Sequence, residues 1–195
     1  MEIIRPKSKQ PMPATAKRVF KGAIFDVYQW EQEGYDGSTH IFEKLKRPDT
    51  VVILALTPDN KIIITDQEQP GKKPFVGLLG GRVNEGEDIL AAAKREMLEE
   101  SGYTSETWEL LEAMQPVGKV DWAVFIFIAR NSKKVQEQDL DGAEKIDLRF
   151  VDYDEFLKLV FEPDFYEGEL RTMYLEAKGD SEKTEALRKR ILGNS

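Results

Sequence analysis

The segment at residues 80–103, GGRVNEGEDILAAAKREMLEESGY, constrains the fold more than any other part of the chain. It opens on two glycines, continues as a good helix sequence and reaches Gly102, where a helix stop is expected. Its apolar positions recur every four residues, as in an amphipathic helix, at Ile89, Ala93 and Met97. The segment therefore predicts a helix over residues 88–101. Its glutamates lie about one turn apart and repel one another unless a cation lies nearby.

Three of these glutamates predict a metal site. Glu96 and Glu100 are one helical turn apart, and Glu99 lies between them on the same side, so the three carboxylates converge. Arg95 precedes Glu99 by four residues and is placed to hold its rotamer. Oxygen donors without histidine or cysteine suit a hard divalent cation, Mg2+ or alternatively Mn2+. The alternative for such a helix is a solvated face with ordinary ion pairs.

Composition excludes several classes of function. The net charge of −8 argues against nucleic acid as a partner. The chain has no cysteine, which excludes disulfides, thiolate catalysis and Cys-zinc sites and fits a cytoplasmic protein. His40 is the single histidine, so a His-rich metal site within one chain is excluded. The apolar runs at residues 51–56 and 123–129 are too short to span a membrane, and the first residues lack the apolar core of a signal peptide.

The alternation of apolar and polar residues predicts an α+β fold, with a mixed sheet packed between helices. Residues 1–17 are polar, contain three prolines and suggest a flexible lead-in. A first hairpin is expected around Tyr35-Asp36-Gly37, and a second around Pro58-Asp59-Asn60, joining the strands VVILAL and KIIITDQ. Further strands are expected at 108–117, 122–130 and 145–153, and further helices at 154–161, 168–178 and 181–192.

The spacing of residues in the acidic segment is specific. Gly81 is followed by Glu87 after five residues, and after seven more by Arg95-Glu96-Met97, one residue, Glu99-Glu100, one residue and Gly102-Tyr103. This pattern resembles the Nudix box, with Met97 filling a position that more often holds a branched aliphatic side chain. The resemblance implies a mixed sheet sandwiched between helices (α/β/α). It also implies metal-dependent hydrolysis of a nucleoside diphosphate linked to another group.

The resemblance also implies roles for individual residues. Glu96 and Glu100 would be direct metal ligands, with the Gly80 carbonyl as a third. Glu99 would bind metal or orient a metal-bound water. Arg95 would position the glutamates, with Glu87 as its partner, and Gly81 would allow a close approach of the backbone to substrate.

The residues before the box resemble the ADP-ribose and nucleoside diphosphate sugar pyrophosphatases. That resemblance implies a small N-terminal antiparallel β appendage over residues 1–48, used for dimerisation and base binding, and a hydrolase domain over residues 49–195. It therefore implies a homodimer. Phe42 would stack on the base, Glu43 would bind it by hydrogen bonds, and Arg47 would add a basic contact. A place in the core or in a dimer interface is the alternative for Phe42.

The resemblance also implies that a loop after the box supplies the general base. Glu144 matches the glutamate of the family best, with Asp139 and Asp141 as substitutes; a surface acid in a turn is the alternative. Gln67 is present, but Gln69 stands where the family has an arginine that contacts phosphate. Lys72 or Lys73 is the candidate for the missing charge. Lys119, Asp121 and Trp122 are the candidates for an altered pocket around the terminal sugar, and a place in the core at a strand edge is the alternative for Trp122. Leu79 replaces the usual proline.

These observations predict a cytoplasmic, Mg2+-dependent enzyme that acts on a small-molecule nucleotide and binds neither nucleic acid nor membrane. It should split a nucleoside diphosphate sugar into a nucleoside monophosphate and a sugar phosphate. Two alternatives remain: a pyrophosphatase that removes nucleoside triphosphates, and a non-catalytic sensor of nucleotide sugars. The N-terminal strands argue against the first, and the intact glutamates argue against the second.

Overall fold

A computed structural model describes residues 1–193. Its strands are β1 (Lys17–Lys21), β2 (Asp26–Glu33), β3 (Thr39–Lys46), β4 (Thr50–Ala55), β5 (Ile62–Glu68), β6 (Phe75–Gly77), β7 (Leu79–Arg82), β8 (Tyr103–Thr104), β9 (Thr107–Met114), β10 (Val120–Asp121), β11 (Val124–Arg130), β12 (Lys133–Lys134) and β13 (Lys145–Val151). Its helices are α1 (Ile89–Ser101), α2 (Tyr153–Val160), α3 (Gly168–Ala177) and α4 (Ser181–Leu192).

The centre of the molecule is a mixed four-stranded sheet in the order β7-β4-β11-β9. Strands β4 and β11 run parallel, whereas β7 and β9 are antiparallel to their neighbours. Four of the six residues of β4 and six of the seven residues of β11 are buried, because both faces of the sheet are covered. A second, antiparallel sheet has the order β13-β5-β6.

Helices cover both faces of the central sheet. On one face, Ile53 and Phe127 pack in a cluster with Met97 of α1. On the other face, Leu54 and Ile126 pack in a cluster that the last three helices complete through Phe156, Leu170, Tyr174 and Ile191. The predicted α/β/α arrangement, a sheet between helices, is confirmed.

Helix α1 begins and ends at the residues that the sequence indicates. Asp88 caps its N-terminus by accepting a hydrogen bond from the Ala91 N–H at 3.0 Å. Gly102 adopts a left-handed conformation, with φ of 73°, and donates its N–H to the Leu98 carbonyl at 2.8 Å. The three later helices also lie within one or two residues of their predicted bounds.

The predicted second hairpin is wrong. The turn exists, since the Thr57 N–H donates to the Lys61 carbonyl at 2.9 Å and Asn60 has a φ of 60°. Beyond one bridge between Leu56 and Ile62, however, the two strands separate: β4 pairs with β7 and β11, whereas β5 pairs with β6 and β13. Most of β4 and the first three residues of β5 are continuous apolar runs, so these parts lack the alternation that would identify their neighbours.

The N-terminal segment is better anchored than the sequence suggests. Arg5 forms ion pairs with Asp49 at 2.7 Å and Asp121 at 3.0 Å. The buried Lys44 ammonium donates at 2.6 Å to both the Ser8 hydroxyl and the Gln10 carbonyl. The segment before β1 has no helix or strand, but these polar contacts fix its course along the protein.

The appendage forms a sheet in the order β1-β2-β3-β10. The first predicted hairpin is confirmed, with β2 and β3 in continuous antiparallel register around the turn at Tyr35–Gly37. Strand β10 comes from the later part of the chain and pairs in parallel with β3. The domain boundary between residues 48 and 49 stays a prediction. In the described residues, the helices are too short to cross a bilayer.

Substitution of Gly102 by alanine should destabilise the protein. A Cβ at this position would overlap the carbonyl of Gln136, and the positive φ of 73° is unfavourable for alanine. We expect Gly102→Ala to lower the free energy of unfolding by about 2–4 kcal/mol in urea denaturation. The control is Gly118→Ala, since a Cβ at Gly118 meets no atom within 4 Å. An equal, small change in both variants would contradict this account of the helix end.

Candidate active site

Two glycines of β7 bring the sheet edge into direct contact with α1. A Cβ on Gly80 would overlap the Val51 carbonyl, and a Cβ on Gly81 would overlap the carboxyl group of Glu96. Gly80 also has a φ of 153°. Its N–H donates to Glu100 Oε2 at 2.7 Å. The absence of side chains here therefore lets two helix carboxylates lie against the strand backbone.

Arg95 organises the outer part of the acidic cluster. It binds Glu87 through two hydrogen bonds, from Nε at 2.8 Å and from Nη2 at 3.0 Å. Nη1 donates to Glu96 at 2.8 Å and to Glu99 at 2.9 Å, and Nη2 also reaches the Arg82 carbonyl at 3.0 Å. The partnership of Arg95 with Glu87 and the glutamates follows the predicted pattern. A guanidinium suits this position because its planar fork serves several carboxylates together.

The inner part of the cluster is strongly negative. Burial raises the pKa of Glu96, and it raises the pKa of Glu100 well above its usual range. Glu100 is only 5% exposed, and the charges that act on it, those of Glu96, Glu144 and Glu167, are all negative. By contrast, the hydrogen bonds from Arg95 lower the pKa of Glu87. A site with this field attracts a cation.

The residues present fit a divalent metal ion by their donor chemistry. Glu96, Glu99 and Glu100 offer carboxylate oxygens, the donors that Mg2+ and Mn2+ prefer. Within residues 1–193, no three acidic or histidine side chains are already arranged as a complete ligand set. Arg95 occupies one oxygen each of Glu96 and Glu99, and the Gly80 N–H occupies one oxygen of Glu100. The fit therefore rests on the chemistry of the side chains and on the negative field.

A cavity of about 1110 Å³ opens over this cluster. It brings together many of the residues singled out in the sequence, from six separate parts of the chain: Arg47, Gln67, Gln69, Lys72, Gly80, Gly81, Arg95, Glu96, Glu99, Glu100, Trp122, Asp139, Asp141 and Glu144. Its volume suits a ligand larger than a single nucleotide base.

The loop before β13 brings acidic side chains to the cavity. Glu144, Asp139 and Asp141 all line it, so the structure does not separate the predicted base from its two substitutes. Burial raises the pKa of Glu144, and the nearby Asp141 charge adds to that effect. The loop is tied to the end of α1 through main-chain carbonyls. The Asp139 N–H donates to the Glu99 carbonyl at 2.8 Å, and Gln138 Nε2 donates to the Glu100 carbonyl at 2.6 Å.

The predicted base-binding residues separate into two groups. Arg47 lines the cavity, with its guanidinium 4.8 Å from the Trp122 ring centre and 5.6 Å from that of Phe25. Phe42 and Glu43 do not line the cavity of the same chain. Phe42 packs against Trp30, and Glu43 accepts a hydrogen bond from Gln29 at 2.8 Å. Their role with the base stays a prediction.

Of Lys72 and Lys73, the two candidates for the missing positive charge, Lys72 is the better placed. Lys72 lines the cavity and Lys73 does not. Its ammonium lies 3.6 Å from the ring centre of Phe75 and 4.0 Å from that of Tyr166, and burial lowers its pKa. Of the three residues expected around a terminal sugar, only Trp122 lines the cavity. Lys119 lies over Phe42, whereas Asp121 pairs with Arg5.

Several lining residues carry no signal in the sequence. Phe25, Phe75, Tyr166 and Glu167 all reach the cavity. Glu167 precedes α3, and burial raises its pKa to about 8. A parallel bridge between Val76 and Phe165 brings this part of the chain to the cavity. Because that contact joins residues far apart in sequence, no local pattern indicates it.

Comparisons with known proteins agree with this geometry. A model of the NUDIX domain matches residues 46–170. A methanol dehydrogenase activator from Bacillus methanolicus is 30% identical over 165 residues, which cover 82% of this chain and 89% of the relative. An ADP-ribose pyrophosphatase from Bacillus subtilis (strain 168) is 29% identical over 177 residues, covering 88% of this chain and 96% of the relative.

A solved structure shows the same fold. The crystal structure of an ADP compounds hydrolase superposes with a TM-score of 0.64, at 20% identity, and covers 92% of this chain and 98% of its own. Its identity is low, so the likeness concerns the fold alone. The domain match covers more than half of the chain and includes the whole acidic cluster. On these grounds, the chain belongs to the NUDIX domain family.

Proposed function

We propose that the protein is a divalent-metal-dependent hydrolase that cleaves the diphosphate of a nucleoside diphosphate sugar, of the ADP-ribose type. Water adds across one P–O–P bond and gives a nucleoside monophosphate and a sugar phosphate. The observation that carries the proposal is the cluster of Glu96, Glu99 and Glu100, which faces a cavity of about 1110 Å³. The relative named ADP-ribose pyrophosphatase, matched over almost its whole length, supports the substrate class.

The other relative is named for activating methanol dehydrogenase. The names of the two relatives therefore indicate two different activities: activation of another enzyme, and hydrolysis of a nucleotide. The glutamate cluster and its cavity are features of a small-molecule site, so hydrolysis is the function that the geometry supports best. The pyrophosphatase acting on nucleoside triphosphates and the non-catalytic sensor remain the alternatives.

Mg2+ is the metal that we propose, held by Glu96, Glu99 and Glu100 together with the Gly80 carbonyl. When bound, such an ion neutralises phosphate charge and makes water more acidic. Arg95 holds Glu96 and Glu99 in place from the outer side of the cluster. Mn2+ would satisfy the same oxygen donors.

The loop and the cavity walls supply the remaining steps. A carboxylate oxygen of Glu144 accepts the proton of the attacking water, with Asp139 or Asp141 as substitutes. The raised pKa of Glu144 suits this role, because a base works best when its pKa approaches the working pH. Lys72 and Arg47 bring positive charge to the phosphates and the base, and Gly81 presents its backbone to the substrate at the cavity wall.

A homodimer and a cytoplasmic location complete the proposal. In support of the dimer, β1 is the edge strand of its sheet, and the surrounding appendage exposes large apolar side chains at Val19, Phe20, Ile24, Phe25 and Ile41. An edge strand with exposed apolar residues favours pairing with another chain. The cytoplasmic location rests on the cysteine-free composition of the sequence.

A product assay tests the reaction. The protein is incubated with Mg2+ and ADP-ribose, ADP-glucose, GDP-mannose, UDP-glucose, diadenosine polyphosphates or dNTPs, and nucleotides are separated by ion exchange. We expect a nucleoside monophosphate from at least one nucleotide sugar. Glu100→Gln should lower that rate more than about 100-fold. Loss of a group that only supports a metal ligand typically costs about 10- to 100-fold in activity, and loss of the ligand itself should cost more.

The exposed Glu176 of α3 provides the control, because Glu176→Gln should retain full activity. Release of pyrophosphate from dNTPs alone would support the triphosphate alternative. Retained, metal-independent binding of a nucleotide sugar without turnover would support the sensor.

Thermal unfolding tests the metal site separately from turnover. A ligand that binds only the folded state, at a concentration about 100 times its Kd, adds about 2.7 kcal/mol to the free energy of unfolding. For a chain of this size, we expect Mg2+ to raise Tm by about 5–10 °C. The rise should disappear with a chelator and shrink strongly in Glu100→Gln. An identical rise in both proteins would exclude the acidic cluster as the binding site.

Sedimentation tests the dimer. We expect wild type to sediment as a dimer and Phe20→Asp as a folded monomer, because a charge at an apolar interface is strongly unfavourable. Leu175→Asp, at an exposed apolar position on α3, is the control and should remain dimeric. A monomeric wild type at all concentrations would contradict the proposed assembly.

A further inference from the structure

The carboxyl group of Glu167 has hydrogen-bonding capacity that the fold leaves unused. Glu167 lies directly before α3, is 6% exposed and lines the cavity. Its Oε1 accepts the N–H of Leu78 at 3.1 Å. Its Oε2 is buried without any hydrogen-bond partner among the described residues. Buried polar atoms are nearly always paired, so an unpaired oxygen at a cavity wall indicates a partner that binds there.

A structural role accounts for only one of the two oxygens. The contact with Leu78 fixes the chain between β6 and β7, and it uses Oε1 alone. Glu167 occupies the cap position of α3, yet its side chain makes no capping hydrogen bond. Neither loop fixation nor helix capping therefore explains why a carboxyl group, rather than a smaller acceptor, is buried at this point.

The carboxyl group packs directly against the backbone of Gly77. A Cβ at Gly77 would lie 3.0 Å from Oε1 and 3.3 Å from Oε2, closer than ordinary van der Waals contact. The glycine has no need of a positive φ, since its conformation is open to other residues. The missing side chain therefore has a local effect, which is to make room for the buried carboxyl group.

Two aromatic rings line the same cavity as the Glu167 carboxyl group. Phe75 and Tyr166 have ring centres 5.0 Å apart, with an angle of 39° between their planes. The Lys72 ammonium lies over both rings, 3.6 Å and 4.0 Å from their centres, and its positive charge also acts on Glu167. This part of the cavity therefore combines apolar rings with charged groups, which suits a sugar, since a sugar ring carries both C–H groups and hydroxyl groups.

We propose that Glu167 is a specificity-determining residue that binds a hydroxyl group of the sugar attached to the diphosphate. This inference rests on the proposed function. A hydroxyl group donates to a carboxylate and accepts from a carboxylic acid, so it pairs with Glu167 in either protonation state. A phosphate oxygen without a proton only accepts, and an ammonium group only donates.

The position of Leu78 agrees with this assignment. Leu78, which holds the Glu167 carboxyl group, is two residues before Gly80, whose backbone contacts Glu100. Two residues of extended chain span about 7 Å. A sugar joined directly to a phosphate at the acidic cluster would therefore lie within reach of Glu167.

A comparison of two substrate types in one variant tests the inference. Glu167→Met keeps roughly the length of the side chain but removes both oxygens, so the new side chain neither accepts a hydrogen bond from a hydroxyl group nor donates one to it. The substrates are the four nucleotide sugars of the product assay and the β-methyl esters of ADP, GDP and UDP, which carry no terminal sugar. Rates are compared as kcat/KM, or as competitive inhibition constants where turnover of an ester is slow.

We expect Glu167→Met to lower kcat/KM for the preferred nucleotide sugar by about 10- to 100-fold. The matched methyl ester should change by less than about twofold, and Glu176→Met should change neither. An equal loss on both substrates, or no loss on the nucleotide sugar, would overturn the sugar contact while leaving the proposed function intact. A wild type that hydrolyses none of the nucleotide sugars would overturn the proposed function and this inference together.

A second variant tests the inference independently, in case the first variant does not fold. Gly77→Ala places a methyl group against the Glu167 carboxyl group without changing its charge. We expect the same selective loss on the nucleotide sugar, with the methyl ester spared. Thermal unfolding is recorded for each variant, and a Gly77→Ala protein with wild-type Tm and an unchanged substrate preference would count against the inference.

Discussion

The close contact between α1 and β7 is the constraint on which the rest of the site depends. Gly80 and Gly81 have no Cβ, so the carboxyl groups of Glu96 and Glu100 lie directly against the strand backbone. Strand β7 is itself an edge strand of the central sheet, and Met97 of α1 is buried in the same core as that sheet. The hydrophobic packing of the helix therefore fixes the position of its charged face.

The negative charge of helix α1 is compensated by a positive side chain on one side of the cluster only. Arg95 satisfies Glu87 and shares its guanidinium with Glu96 and Glu99, whereas Glu100 has a backbone N–H as its partner and negative neighbours. Self-repulsion of this kind opposes folding unless a positive charge is added. The fold tolerates it because the apolar face of α1 and the caps at Asp88 and Gly102 stabilise the helix independently.

Local signals in the sequence predict the local structure well. The caps of α1, the turn at Tyr35–Gly37 and the acidic cluster all depend on residues close in sequence, and the spacing of the box identifies the family. The pairing of β4 and β5 could not be predicted, because both strands are buried runs with interchangeable faces. Glu167 could not be predicted either, since a bridge between Val76 and Phe165 places it, and neither residue carries a motif.

The loop that carries Glu144 is attached to α1 through main-chain carbonyls rather than through side chains of the helix. Asp139 and Gln138 bind the carbonyls of Glu99 and Glu100, so the attachment does not depend on the identity of those glutamates. The tip of the loop, residues 141–144, lies beyond this attachment. During evolution, the residues around Glu144 in the tip can therefore change in sequence or number, and with them the choice of substrate, while the register between the loop and the acidic helix is inherited unchanged.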